Sequence, residues 1–206
     1  MNEARILEMR DRMNYQLFKA INQLAGHHPI IDKVMIFTTQ YALIVFALIL
    51  LLMWFFGKEQ YKYSVVYAAI TGGLGLFINF VIGHIYYEPR PFVTHTVHLL
   101  IQHAKDSSFP SDHTTGAFSL ALAVLLRHRK IGLGMLVFAI LTGISRVYVG
   151  HHYPFDVLGS IIVGIVVSSL VYKCSSLLNP IPRTIVNIYN HLPLVPKDHK
   201  SISGNN

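Results

Sequence analysis

Apolar residues collect in five long runs, at about 34–56, 64–87, 111–126, 131–149 and 155–173, with short polar connections between them. Each run is long enough, or nearly so, for the roughly 20 residues a helix needs to cross a bilayer. Val34–Phe56 carries no charge, and from Tyr41 onward it is almost wholly apolar. The third run is short on its own, and only Ser107–Arg127, polar flanks included, would reach across. In hydrocarbon every backbone group must be satisfied inside its own segment, so these runs predict helices.

The rest of the pattern fits around such a bundle. Tyr15–Leu24 places Leu17, Phe18, Ile21 and Leu24 at helical spacing, which suits either an interfacial helix or one packed on the bundle. Trp54, Tyr61, Tyr63, Tyr86, Tyr87, Tyr148, Tyr153 and Tyr172 fall near span ends, as an aromatic belt would. Gly72, Gly73, Gly75, Gly83, Gly159 and Gly164 would let helices approach closely. After Asn179 the chain is broken by prolines and ends polar, which predicts a peripheral or partly disordered tail. The expected organisation is an all-α, polytopic membrane helix bundle with about five transmembrane spans plus an N-terminal amphipathic helix. Its parts are an N-terminal extension and helix over 1–29, a core over 30–173 and a tail over 174–206.

Composition agrees with membrane residence. Charged residues make up 13% of the chain, about half the share of an ordinary soluble domain, too few to build a water-facing surface. Mean hydropathy is +0.45. Net charge is +7, a balance that suits anionic headgroups, phosphates or nucleic acid. The basic residues form no stripe and no nucleic-acid motif accompanies them, so nucleic acid is not an expected partner. Cys174 is the only cysteine, which excludes an intramolecular disulfide and a cysteine-based zinc cluster. The charged start has no apolar stretch typical of a signal peptide, and Met13-Asn-Tyr reads like a natural start, with 1–12 as an extension.

Parity assigns the connections to two sides. On one lie 57–63, 127–130 and the tail, with Lys58, Lys62, Arg127, Arg129, Lys130, Lys173, Arg183, Lys197 and Lys200. On the other lie the N-terminus, 88–110 and 150–154, with Arg5, Arg10, Arg12, Lys19, Lys33, Arg90, Lys105 and Arg146. The totals are nearly equal, but five of the first set crowd two very short loops, so that side is expected to be cytoplasmic.

Three polar clusters then share the extracytoplasmic side: Glu88-Pro-Arg-Pro-Phe92, Phe109-Pro-Ser-Asp-His-Thr114 and Ser145 through Asp156. Ionisable groups at membrane depth are costly and mark candidate sites. Pro154 suits a first helical turn, so Asp156 can reach back to His152, fix its tautomer and leave the other ring nitrogen with a free lone pair. Arg146 and Arg90 supply planar cations for phosphate oxygens. Ser111 suits an N-cap, where free backbone N–H groups bind anions, and His113 would stand beside such an anion as a proton donor. The set prepares for a dianion and for attack upon it. An anion transporter or receptor would share the cationic pocket, and His95, His98, His103, His113, His151 and His152 on one side would also allow a metal-dependent hydrolase.

These motifs resemble the type 2 phosphatidic acid phosphatase superfamily, whose pattern is Lys-x6-Arg-Pro, then Pro-Ser-Gly-His, then Ser-Arg-x5-His-x3-Asp. The third matches in full at Ser145, Arg146, His152 and Asp156; the second has Asp112 for glycine; the first has Arg90-Pro91 but Gly83 in place of lysine. Within the superfamily the chain looks like the bacterial undecaprenyl pyrophosphate phosphatases of the bacitracin-resistance type. The resemblance implies hydrolysis of a polyprenyl diphosphate, recycling the cell-wall lipid carrier, with another lipid such as phosphatidylglycerophosphate or phosphatidic acid as the alternative. It implies His152 as nucleophile through a phosphohistidine, Asp156 orienting it and His113 protonating the leaving oxygen. Arg90, Arg146 and Ser111 would hold the phosphoryl oxygens, with Glu88 and Asp112 completing the expected phosphate-binding set. No metal or other cofactor is implied, and Lys105, His84 or a water would stand in for the lysine.

Overall fold

A computed structural model describes residues 3–192, and among these every regular element is helical. The helices are α1 (Glu3–Asn22), α2 (Pro29–Phe56), α3 (Glu59–Ile85), α4 (Pro91–Thr94), α5 (Asp112–Leu125), α6 (Arg129–Tyr148), α7 (Pro154–Lys173), α8 (Ser175–Leu178) and α9 (Pro180–Asn190). Four of them, α2, α3, α6 and α7, are long and apolar enough to cross a membrane. The fifth expected span is different. α5 has 14 residues, about 21 Å of helix, short of the roughly 30 Å hydrocarbon core. It is the axle of the bundle, packed against α3, α6 and α7, with Thr114 to Ser119 all buried.

α5 can occupy the centre because its sequence is small. Ala117, Ala121 and Ala123 are fully buried against Phe46, Met135 and Ala139. Gly75 and Gly164 face it directly: a Cβ at Gly75 would stand 2.7 Å from Ser119 Oγ, and one at Gly164 2.9 Å from Phe118 Cβ. Gly73, expected at a close approach, has nothing nearby. Polar side chains also join the helices, with Asn79 donating to Asp112 at 2.9 Å and accepting from Thr115 at 3.1 Å. Such bonds are satisfied within the bundle, as an apolar surrounding requires. Outward-facing residues such as Leu52, Phe77, Val137 and Ile162 stay more than half exposed, forming an apolar exterior suited to lipid.

The connections sort into two ends as parity predicts. At one end His128 meets Ser64 at 2.8 Å and stacks on Tyr61, while the Tyr67 hydroxyl donates to Ser175 O at 2.8 Å. α9 folds back on this end through buried Pro182 and Val186, with Tyr189 edge-on to Trp54. The tail is therefore helical to Asn190; Lys197, Lys200 and its polar end lie outside the described residues, as does Met1.

At the other end lie α1, α4, the 95–108 segment and the turn between α6 and α7. α1 packs through Asn14, Phe18, Asn22 and the following Ala25, while Leu17 and Leu24, expected beside Phe18, are exposed. Tyr148 and Tyr153 depart from the aromatic belt: both are buried at this end, where their hydroxyls bond to Asp32 and Thr94.

Candidate active site

The turn after α6 brings the chemistry together. The N–H groups of His151 and His152 both donate to Arg146 O, at 3.0 and 3.2 Å, and Gly150 takes φ +91, the left-handed conformation that glycine adopts without penalty. Pro154 then starts α7 as its first residue, so His152 is held between two helix ends. His152 is 2% exposed.

Hydrogen bonding fixes its tautomer. His152 Nδ1 lies 2.8 Å from Ser108 O, a carbonyl that only accepts, so Nδ1 carries the proton. Nε2 faces Arg90 Nη1 at 2.9 Å and Arg146 Nη2 at 3.4 Å, and guanidinium groups only donate. The lone pair of Nε2 therefore points at two cations. Burial, then the charges of Arg146 and Arg90, hold this imidazole well below the usual histidine range, and it stays neutral.

Asp156 acts less directly than its spacing predicts. Its Oδ2 is 3.4 Å from His152 Nδ1, but it accepts from Ser108 Oγ at 2.5 Å and from Tyr153 N at 2.8 Å. Ser108 thus links the carboxylate to the ring, by its hydroxyl on one side and its carbonyl on the other. The backbone contact to Tyr153 also closes the first turn of α7, as an acid at that position does.

The cations are built into the fold. Arg90, extended between Pro89 and Pro91, is 4% exposed; it donates to His151 O at 3.1 Å and through Nε to Asp106 at 2.8 Å. Burial favours the neutral acid, but the hydrogen bond and charge of Arg90 prevail and hold Asp106 below the ordinary carboxylate range. Arg146, in the last turn of α6, is 2% exposed and meets His103 Nε2 at 3.2 Å. Its Nε has no partner among the described residues, and a buried guanidinium N–H without an acceptor costs free energy that an anion would recover.

Ser111 is the N-cap of α5, fully buried, with Oγ accepting from Thr114 N and from the Thr114 hydroxyl. Its own backbone N–H is taken by Ser160 Oγ at 2.7 Å, so an anion at this end meets the next N–H groups, those of Asp112 and His113. A cap of this type stabilises a helix by about 1 kcal/mol. His113, second residue of α5, is half-buried and lies within electrostatic reach of Arg146 and Arg90.

Two expected phosphate contacts are not brought to His152. The Asp112 side chain is exposed and tied to Asn79. Glu88 uses its backbone, accepting from Ser108 N at 2.7 Å, while its side chain lines a separate cleft of about 510 Å³ with Arg10, Asp11 and Tyr86. The place of the missing lysine is a cleft of about 250 Å³ lined by Gly83, His84, Asp106 and Asp112, and Lys105 is not among its lining residues. His84 spends Nδ1 on Phe80 O. Of the other histidines, His95 stacks on Tyr15 at 3.9 Å and His98 sits beside His27.

Ser108, Asp106, Ser160 and Asn79 carry no signal as isolated residues. Ser108 and Asp106 lie in an irregular segment and Ser160 and Asn79 inside apolar runs, so only the fold reveals them.

The chain is similar to known proteins over most of its length. The model of the PAP2 superfamily matches residues 62–180. The undecaprenyl-diphosphatase BcrC of Bacillus subtilis is 52% identical over 90% of this chain and 98% of its own length. The bacitracin transport permease protein BcrC of Bacillus licheniformis is 31% identical over 92% of this chain and 94% of its own. Among solved structures, LpxE of Aquifex aeolicus superposes with a TM-score of 0.63 at 27% identity, covering 78% of this chain and 95% of that one.

Proposed function

The chain belongs to the PAP2 superfamily, and on that premise we propose that it hydrolyses a polyprenyl diphosphate, undecaprenyl diphosphate in the first place, to the monophosphate and inorganic phosphate. The observation that carries the chemistry is the lone pair of His152 Nε2 facing two buried guanidinium groups. Similarity over nearly the whole chain to an undecaprenyl-diphosphatase supports the substrate class.

The terminal phosphoryl group sits between Arg90, Arg146 and the start of α5, its oxygens taking the N–H groups that now lack or share acceptors. His152 Nε2 attacks the terminal phosphorus, and the bond from that phosphorus to the bridging oxygen breaks. The lipid monophosphate leaves with the proton of His113. The Nδ1 proton stays on the ring, and its bond to Ser108 O, backed by Asp156, stabilises the charge that the phosphohistidine acquires. Water, losing a proton to His113, then attacks the phosphohistidine and releases inorganic phosphate. The arginines are preorganised for the charge that grows on the equatorial oxygens. Release of the monophosphate would return a lipid carrier to use.

A panel of lipid mono- and diphosphates with the purified full chain tests this. Phosphate release is expected to be fastest from the polyprenyl diphosphate and undiminished in excess chelator. Binding without release would favour the transport reading that the name of the Bacillus licheniformis relative carries.

The site is proposed to face the extracytoplasmic side, supported by the crowding of Lys58, Lys62, Arg127, Arg129 and Lys130 at the opposite end. With Cys174 replaced, a cysteine at Ser107 is expected to react with an impermeant thiol reagent in intact cells, and one at His128 to be protected. The reverse pattern would invert the topology.

A further inference from the structure

α1 touches none of the reacting groups, yet it closes both helix ends that flank His152. Its last residue, Asn22, is 3% exposed and uses its whole carboxamide. Nδ2 donates to Tyr148 O at 2.8 Å and to His98 O at 2.9 Å, and Oδ1 accepts from His98 N at 2.9 Å. Tyr148 O is one of the last carbonyls of α6, which no helix can satisfy from within. His98 lies in the segment that goes on to present Ile101 O to His151, His103 to Arg146 and Ser108 to His152. Two turns earlier on the same face, Asn14 is 6% exposed and its Oδ1 accepts from Phe155 N at 3.0 Å. Phe155 N is an orphan donor in the first turn of α7. Between the two asparagines, Phe18 packs on Val147 and Tyr153.

Gly150 makes the fit possible. At φ +91 a side chain would be strained, and a Cβ there would also crowd His98 O at 3.1 Å, so glycine suits the closure of the 95–101 segment and Asn22 on the turn. One helix therefore ends α6, starts α7 and ties the intervening turn to the segment that supplies the ring with its hydrogen-bond acceptor.

We infer that α1 is a clamp on the nucleophile's turn, and that Asn22 and Asn14 are positioning residues for His152. The inference rests on the reading of His152 as nucleophile. The clamp orients the ring without contacting the phosphoryl group, whose oxygens are held by Arg90 and Arg146. Loosening it misaims Nε2 while the anion is still bound, so the effect falls on kcat and not on affinity.

The test uses the full chain in lipid nanodiscs, with Asn22→Ala, Asn14→Ala and, on the exposed face of α1, Lys19→Ala. Turnover is measured on polyprenyl diphosphate and on p-nitrophenyl phosphate, together with competitive inhibition by inorganic phosphate. Asn22→Ala is expected to lower kcat by about 10–100-fold and Asn14→Ala by about tenfold, by analogy with the cost of misplacing reacting groups. KM and inhibition by phosphate should change by less than about twofold, and Lys19→Ala should match wild type. Asn14→Ala breaks one hydrogen bond and carries the test if Asn22→Ala does not fold. Unchanged kcat in both asparagine variants overturns the clamp, as does a kcat loss matched by an equal weakening of phosphate inhibition. A wild type that cleaves only p-nitrophenyl phosphate overturns the substrate reading instead, and the clamp is then read from that substrate.

Discussion

His152→Ala is expected to abolish turnover, by roughly 10⁴-fold or more, because covalent catalysis loses its acceptor atom. Asp156→Asn should be milder, about 10–100-fold, for a reason visible in the hydrogen bonds. The ring proton is held by Ser108 O at 2.8 Å, and the carboxylate works mainly through Ser108 and Tyr153 N. An asparagine oxygen can still accept from both, so the ring keeps its tautomer. What disappears is the negative charge that offsets the cationic phosphohistidine. Steady-state kcat on a polyprenyl diphosphate, with rapid-quench detection of the phosphoenzyme, checks both variants. The pH dependence is specific as well. His152 is held below the ordinary histidine range, so the fraction with a free Nε2 lone pair stays full as pH falls through that range. An acid limb near neutrality must therefore belong to a group other than His152. Wild-type rates from His152→Ala would end the mechanism.

Much of the geometry at this end was legible before any coordinates, because its ionisable residues are costly at membrane depth and stand out from apolar runs. His152, Arg146 and Arg90 converge as parity of the spans requires. The helices were legible for the same reason, since long apolar runs admit only one backbone solution in lipid. The differences are equally physical. α5 read as a lipid-facing span, but its small residues place it at the centre of the bundle, where it runs between the two ends with helices around it. Glu88 and Asp112 looked like phosphate contacts because charge next to a motif invites that reading, and the backbone turns their side chains elsewhere. Asn14, Asn22 and Ser108 had no periodicity or charge to mark them. Their roles come from meeting orphan backbone groups that exist only once the helices have ended.

The sharpest expected difference between substrates comes from His113. In a lipid monophosphate the leaving group is an alkoxide, so departure without a proton is very slow. In a lipid diphosphate it is a phosphate monoester, far less basic, and the barrier depends less on the acid. A site with one cation fewer than the family pattern favours the easier departure. Gly83 leaves the family's lysine position empty of charge, and the cleft there is lined by Asp106 and Asp112. Asp112 accepts from Asn79 and Asp106 from Arg90, and Arg90 and Arg146 are the guanidiniums expected to face the phosphoryl group. Higher kcat/KM is therefore expected on a polyprenyl diphosphate than on phosphatidic acid. His113→Ala should cost about 10³-fold on the monophosphate and about tenfold on the diphosphate, the span that general acid catalysis covers between poor and good leaving groups. Both substrates are measured on both proteins in one detergent. Equal losses would mean that His113 works in binding and not in proton transfer, and a preference for phosphatidic acid would move the substrate to another membrane lipid.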